Sequence, residues 1–336
     1  MSKIGRKYGH LLGLFLTLLG VTLTGLTLWM NSFLGFCLGN LLCGVGAAFN
    51  NQIRFSAAEG AIFEEKALVH SWVLMCSLCA AFLGPWMIQY GHTLLHTGEY
   101  TGSLALLFIA LFGTMVLLIC LPQSPPSVTQ STDTPKITAF QIVSQVKFWL
   151  PALCGITAFA TMTLIMSATP LQMHEIAHFS TAITTMTYKS HIIAMFLPSL
   201  FSGILLAKMG IRRLIAAGIF LFLLCIAIAY TGTTCHDYWW SLVLLGVGWN
   251  FLFLAGSTWV SQTYTGPERF AAQGLNDGLV YGTQSLASLA AGWLLFAYGW
   301  TTLVLIPLPL LIGLVGFVWM NSKKNSRNTP IAWADS

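Results

Sequence analysis

Ten long apolar stretches, separated by short polar turns, dominate this sequence. Each is about 20 residues long, which is the length of helix needed to cross a bilayer core of about 30 Å. Only 7% of the residues are charged and the mean hydropathy is +0.76, whereas soluble domains carry about 25% charged residues. The sequence therefore predicts an all-α, multi-pass membrane protein. The stretches cover residues 11–30, 33–51, 68–90, 101–121, 149–171, 187–207, 211–231, 238–261, 271–297 and 301–320.

The basic residues indicate the orientation of these helices. If the N-terminus is cytoplasmic, ten crossings place fourteen of the fifteen Lys and Arg residues on the cytoplasmic side, as the positive-inside rule requires. Both termini are therefore predicted to be cytoplasmic. The exception is Lys189, near the outer end of the sixth stretch, for which anchoring at the membrane interface and binding of an anion both stay open.

The sequence also repeats itself at an offset of slightly more than 200 residues. The basic stretch Lys3-Ile4-Gly5-Arg6-Lys7 returns as Lys208-Met209-Gly210-Ile211-Arg212-Arg213, with the two glycines 205 positions apart. The pair Arg54-Phe55 likewise returns as Arg269-Phe270 at an offset of 215. The chain is therefore predicted to contain two related bundles.

The repeat and the composition suggest domain boundaries. Residues 1–122 would form an N-terminal bundle of four helices and residues 148–320 a C-terminal bundle of six. Residues 123–147, rich in Pro, Ser and Thr, would form a cytoplasmic linker, and residues 321–336 a polar cytoplasmic tail. Since the second copy has two more helices before its basic loop, the first copy is expected to lack two.

The second basic loop carries a family resemblance. The stretch from Gly203 to Arg213 resembles the Gly-x-x-x-Asp-Arg-x-Gly-Arg-Arg loop of the major facilitator superfamily, with Ala207 in place of the acid. Trp249-Asn250 and Asn276-Asp277 are similar to bacterial members. The resemblance covers helices 3 to 12 of a twelve-helix pattern, and thus omits the first two.

This resemblance implies two pseudo-symmetric bundles and a secondary transporter of the bacterial inner membrane. The expected partner is a small solute, either drug-like, a metabolite or amphipathic, moved by alternating access. Coupling to protons stays open. The resemblance further implies a monomer with no enzymatic activity, catalytic residues, cofactor, metal or nucleic-acid partner.

The resemblance also suggests which residues contact the solute and which form the gate. In the family pattern the stretches 33–51, 149–171 and 238–261 line the central cavity. The expected substrate-binding residues are Thr157, Thr161, Trp249, Asn250, Phe253 and Ser257. Their polar side chains could instead hold helices together. The expected gating residues are Lys3, Gly5, Arg6, Lys7, Arg54, Lys208, Gly210, Arg212, Arg213, Asn276 and Asp277.

Asp277 has a second interpretation. It is the one acid well within a predicted helix, and ionisable groups inside membranes are candidates for function. It could contact the basic loop as part of a gate, or it could carry a coupling proton.

Two alternatives to a working transporter remain. His174-Glu175-Ile176-Ala177-His178 matches the His-Glu-x-x-His motif of zinc proteases, for which Asp277 would be a further ligand. The motif follows Pro170 in a predicted outer loop, which favours a chance match. The other alternative is a truncated, non-transporting remnant. The sequence leaves open the substrate, the direction of transport, the coupling ion, and whether the absent helices reflect a misassigned start or a degenerate gene.

Overall fold

The computed structural model describes residues 5–59, 61–62, 65–94, 101–121, 138–264 and 268–325. These residues form helices and loops without a strand, so the predicted all-α fold is confirmed. A π-helical turn, Gln172–Ile176, follows the seventh α-helix. The α-helices are α1 Arg6–Trp29, α2 Phe33–Asn50, α3 Ile53–Ala58, α4 Lys66–Leu94, α5 Thr101–Cys120, α6 Ala139–Val143, α7 Val146–Leu171, α8 Thr181–Phe196, α9 Ser199–Met209, α10 Ile211–Thr231, α11 Cys235–Thr263, α12 Arg269–Leu305 and α13 Leu308–Asn325.

The helices long and apolar enough to cross a membrane follow the predicted stretches. Within the described ranges there are eight, or nine when α8 and α9, which meet at an angle of 41°, count as one span. The longest candidate, Arg269–Val318, covers the last two predicted stretches in 50 residues. A straight helix of that length would measure about 75 Å, far beyond a bilayer core. Gly299, with φ 79° and ψ 167°, interrupts it between those stretches.

The contacts divide the chain into two units. The first contains Met1–Gly60 and Cys79–Lys136, and the second contains Ala61–Leu78 and Ile137–Ser336. Helix α4 is thus shared between them, which the predicted boundaries at residues 122 and 148 did not anticipate. Those boundaries stay a prediction, since most of the linker and the end of the tail lie outside the described residues.

Glycines bring α1 and α2 of the first unit into close contact. A Cβ atom on Gly20 would lie 2.7 Å from the carbonyl oxygen of Gly39, and one on Gly46 would lie 2.5 Å from that of Gly13 and overlap the Thr17 side chain. Small residues of this kind allow two membrane helices to pack backbone to backbone. The close packing of α1 against α2 therefore depends on these glycines, which have no side chain to hold the helices apart.

Polar contacts hold the first half of α4 within the second unit. The Ser71 hydroxyl donates to the carbonyl oxygen of Ser199 and accepts from the Gly203 amide at 3.1 Å. One residue earlier, His70 Nδ1 lies 3.0 Å from Thr258 Oγ1. These groups are buried. Each hydrogen bond therefore avoids the free-energy cost of a buried polar atom without a partner. Helix α4 is thereby fixed to α9 and α11.

Candidate functional site

Aromatic side chains from four helices of the second unit meet around Phe159 and Trp249. The ring of Phe159 on α7 lies 5.3 Å from Trp249, 5.0 Å from Phe253 and 5.4 Å from Tyr281 on α12, centroid to centroid. Phe196 on α8 lies 5.8 Å from Trp249. These distances are those of edge-to-face and stacked aromatic pairs. We call these five residues the aromatic cluster.

The aromatic cluster contains a polar atom with no partner among the described residues. Trp249 is 3% exposed, and its indole N–H finds no acceptor. A buried donor left unpaired costs about 1–3 kcal/mol, so proteins rarely leave one without a reason. Trp249 and Phe253 stack at 5.1 Å with 23° between their planes. The N–H and the stacked rings together offer hydrogen bonding and flat apolar contact in one place.

Five of the six predicted substrate-binding residues fall into two groups. Trp249, Phe253 and Ser257 lie at successive turns of α11, on one side of that helix, and all three are buried. Thr157 and Thr161 on α7 are also buried, with hydroxyls that find no partner among the described residues. Each lies two positions, about 200°, from Phe159. The two threonines thus lie toward the opposite face of α7 from the cluster, and their role stays a prediction.

Asn250 holds the broken helix in place. Its Nδ2 donates to the carbonyl oxygen of Met195 at 2.8 Å and to the Ser199 hydroxyl at 2.7 Å. Pro198 lies between α8 and α9 and has no N–H to donate to the Ala194 carbonyl oxygen, so the helical ladder is interrupted there. Asn250 binds the adjacent carbonyl oxygen, that of Met195, from α11. This is the helix-bridging role that the sequence left open beside solute binding.

An ion pair and hydrogen bonds connect the first basic stretch to other residues of the first unit. Arg6 forms an ion pair with Glu59 at 2.7 Å and donates to Gln52 Oε1 at 3.0 Å. Lys7 Nζ donates to the carbonyl oxygen of Ile119 at 2.9 Å, at the end of α5, where cations are favoured by the helix dipole. Lys3 lies outside the described residues. Arg6 and Lys7 thus anchor the N-terminal end of α1.

The second basic stretch shares the backbone of the first but not its contacts. Gly210, between α9 and α10, has φ 81° and ψ 162°, and Gly5 at the start of α1 has φ 79° and ψ 166°. Only glycine adopts this conformation readily, so the sequence repeat is also a repeat of backbone geometry. The side chains of Lys208, Arg212 and Arg213 are exposed.

The remaining predicted gating residues are buried. Arg54 is 4% exposed, donates to the Asn51 carbonyl oxygen at 2.7 Å and lies 4.4 Å from the ring centroid of Phe55. Arg269, its counterpart in the repeat, lies 4.8 Å from the ring centroid of Phe270. On α12, Asn276 Nδ2 donates to Asp277 Oδ1 at 3.2 Å. The gating and the proton-carrying interpretations of Asp277 both stay predictions.

The His-Glu-x-x-His motif lacks the geometry of a zinc protease. His174 and Glu175 lie in the π-helical turn, which ends at Ile176, and His178 has a left-handed backbone with φ 57°. The two histidines therefore do not lie one turn apart on one helix, as that motif requires. Among the described residues, no group of three or more His, Cys, Asp or Glu side chains could hold a metal ion. The protease alternative is not favoured.

Comparison with known proteins gives the family. The sequence profile of the Major Facilitator Superfamily matches residues 1–264 and 152–333. The chain belongs to this superfamily. It is therefore a multi-pass membrane protein and, in general terms, a secondary transporter. The family consists of transporters rather than enzymes, which agrees with the expected lack of catalytic activity.

Curated relatives and solved structures agree with this assignment. The riboflavin transporter RfnT of Brucella anthropi is 31% identical over 317 residues, covering 92% of this chain and 78% of RfnT. The uncharacterized MFS-type transporter YddS of Bacillus subtilis is 26% identical over 307 residues, covering 83% of this chain and 67% of YddS. The structure of the E. coli fucose:proton symporter FucP aligns with a TM-score of 0.76 at 15% identity, over 95% of this chain and 85% of FucP. At that identity FucP supports the fold alone.

Gly210 permits a test of the repeated backbone geometry. A Cβ atom there would meet nothing within 4 Å, so Gly210→Ala would act through backbone strain alone. We expect a loss of about 1–3 kcal/mol, visible as a lower melting temperature of the purified protein. Gly313→Ala is the matched control, because that site is equally open and lacks a positive φ. Equal melting temperatures for the two variants would contradict the strain argument.

Proposed function

We propose that this chain transports a flat heteroaromatic solute of the flavin type, with the ring system of the solute resting against the aromatic cluster. The observation that carries the proposal is the buried Trp249 N–H, which has no acceptor among the described residues and lies among four other aromatic rings. A flavin ring presents carbonyl oxygens that accept a hydrogen bond and a flat face that stacks on aromatic side chains. One ligand would then supply both an acceptor for the Trp249 N–H and a flat face for the aromatic rings.

The exposure of the cluster suggests how such a solute would contact it. Phe196 and Tyr281 are half-buried, whereas Phe159, Trp249 and Phe253 are buried. A solute would therefore meet Phe196 and Tyr281 first and reach Trp249 at the base. The name of the relative RfnT, a riboflavin transporter, supports a flavin as the first solute to test.

The gating residues and the orientation are part of the same proposal. The exposed basic loop around Gly210 and the buried Asn276–Asp277 pair on α12 would control access to the cluster from one side. Asp277 would either change partners during transport or carry a coupling proton. We place both termini in the cytoplasm and the protein in the bacterial inner membrane, because the basic residues cluster on one predicted side.

Uptake of labelled riboflavin tests the proposed function. Bacteria that lack their own riboflavin uptake system and express this chain should accumulate riboflavin at a rate that saturates with concentration. An excess of unlabelled riboflavin should compete, whereas fucose should not. Uptake equal to that of cells carrying the empty vector, at verified membrane expression, would refute riboflavin transport.

A further inference from the structure

A groove along α8 carries a lysine that the sequence already marked as unusual. The groove is a shallow, open one of about 550 Å³, and its lining residues, which include Thr181, Thr185, Lys189 and Ile193, all belong to α8. These residues recur every four positions, so they form one stripe along the helix. Lys189 is exposed to the groove. An adjoining groove of about 490 Å³ shares Thr185 and extends toward α7.

Lys189 lies in the middle of α8 rather than at its end. It follows Thr181, the first residue of α8, by eight positions, or about 12 Å along the helix. Charged side chains inside membrane spans cost several kcal/mol and almost always face a water-filled cavity or a partner. No ion pair among the described residues includes Lys189. The ammonium group therefore faces the groove without a counter-charge from this part of the chain.

Lys189 and Phe196, the one residue of the aromatic cluster on α8, lie on one face of that helix. Phe196 follows Lys189 by seven residues, which returns to nearly the same angle about 10 Å further along the helix. Ile193 lines the groove between them. His191, in contrast, lies on the other side of α8, where its Nδ1 donates to the Leu242 carbonyl oxygen of α11 at 2.7 Å. Lys189, Ile193 and Phe196 thus lie along one side of α8.

We infer that Lys189 binds an anionic group, either a carboxylate or a phosphate, on a solute whose ring lies about 10 Å away on the aromatic cluster. The inference rests on the proposed function. It narrows the substrate class to aromatic solutes in which a short chain joins the ring to an acidic group. The hydroxyls of Thr185 and Ser190, which also line the groove, would donate to the same anion. An anionic lipid headgroup has the same chemistry and is the competing source.

Riboflavin and riboflavin 5′-phosphate form a matched pair of probes, since they differ by one phosphate. We expect the purified protein in a neutral detergent to bind the phosphate about tenfold more tightly than riboflavin. Lys189→Gln should remove this preference and leave riboflavin affinity unchanged, while Lys189→Arg should keep it. The retained binding of riboflavin shows that the variant is folded.

Two outcomes would overturn the inference while the proposed function stands: equal affinities in the wild type, or an unchanged preference in Lys189→Gln. Absence of riboflavin binding would instead count against the proposed function. Repeating the measurement in bilayer discs with and without phosphatidylglycerol separates the two sources of the anion. If the preference for the phosphate is present only without phosphatidylglycerol, lipid is the natural occupant and the inference about the solute is wrong.

Discussion

Replacing Trp249 with alanine should weaken riboflavin binding to the purified protein by roughly 5- to 150-fold. The variant loses the hydrogen-bond donor and the ring against which Phe196 and Phe253 pack, and a buried hydrogen-bonding group left without its partner costs about 1–3 kcal/mol. Trp249 is 3% exposed at the base of the aromatic cluster, and it is the one residue of the cluster whose side chain has an N–H donor. The quenching of flavin fluorescence on binding measures the affinity.

Two further variants make this result specific. Trp240 lies on the same helix but is 52% exposed, so Trp240→Ala should leave the affinity within about twofold, as surface substitutions usually do. Trp249→Phe keeps an aromatic ring and removes the N–H, and it should weaken binding by an intermediate factor. Equal affinities for Trp249→Ala and Trp240→Ala would exclude the cluster as the binding site.

Replacing Gly46 with valine should disrupt the first unit. A Cβ atom on Gly46 would overlap the side chain of Thr17 and approach the carbonyl oxygen of Gly13 to 2.5 Å, and these atoms belong to the neighbouring helix. Helices α1 and α2 would have to separate, which we expect to cost about 1–3 kcal/mol or more. The fraction of protein that remains monodisperse after heating in detergent measures the loss.

Gly44→Val supplies the matched control for that substitution. Gly44 lies on the same helix, two residues away, and a Cβ atom there would meet nothing within 4 Å. Its valine variant should behave like the wild type. If Gly44→Val and Gly46→Val lose stability equally, the effect comes from valine in a helix rather than from the contact between α1 and α2.

The membrane class and the local backbone could be predicted from the sequence because they depend on neighbouring residues. A run of about 20 apolar residues has few alternatives to a spanning helix. The matching conformations of Gly5 and Gly210 likewise follow from a short motif, in which a glycine at the start of a helix adopts a backbone conformation that other residues rarely adopt. The resemblance to the superfamily added the fold.

The aromatic cluster could only be predicted in part. Trp249 and Phe253 were expected because they lie on a stretch that lines the cavity in the family pattern, whereas Phe159, Phe196 and Tyr281 come from three other helices. Their meeting depends on how α7, α8, α11 and α12 pack, which no single-helix pattern contains. Aromatic residues make up 13% of this chain. The presence of an aromatic residue in a helix therefore does not by itself indicate a binding site.

The break between α8 and α9 is a similar case. The sequence predicts one helix over residues 187–207, and Pro198 lies inside it. A proline can bend a membrane helix without dividing it, and the outcome depends on whether neighbouring groups satisfy the freed carbonyls. Here Asn250 on α11 donates to the Met195 carbonyl oxygen at the break, and the two pieces meet at 41°. Sharing of α4 between the two units is another consequence of contacts distant in sequence.

The central claim is that the aromatic cluster of the second unit holds the solute, and a structure of the protein with bound riboflavin tests it most directly. The account predicts the ring of riboflavin within stacking distance of Phe196 or Tyr281, with one of its carbonyl oxygens within about 3 Å of Trp249 Nε1. Riboflavin bound elsewhere, with the Trp249 N–H still without an acceptor, would contradict the account.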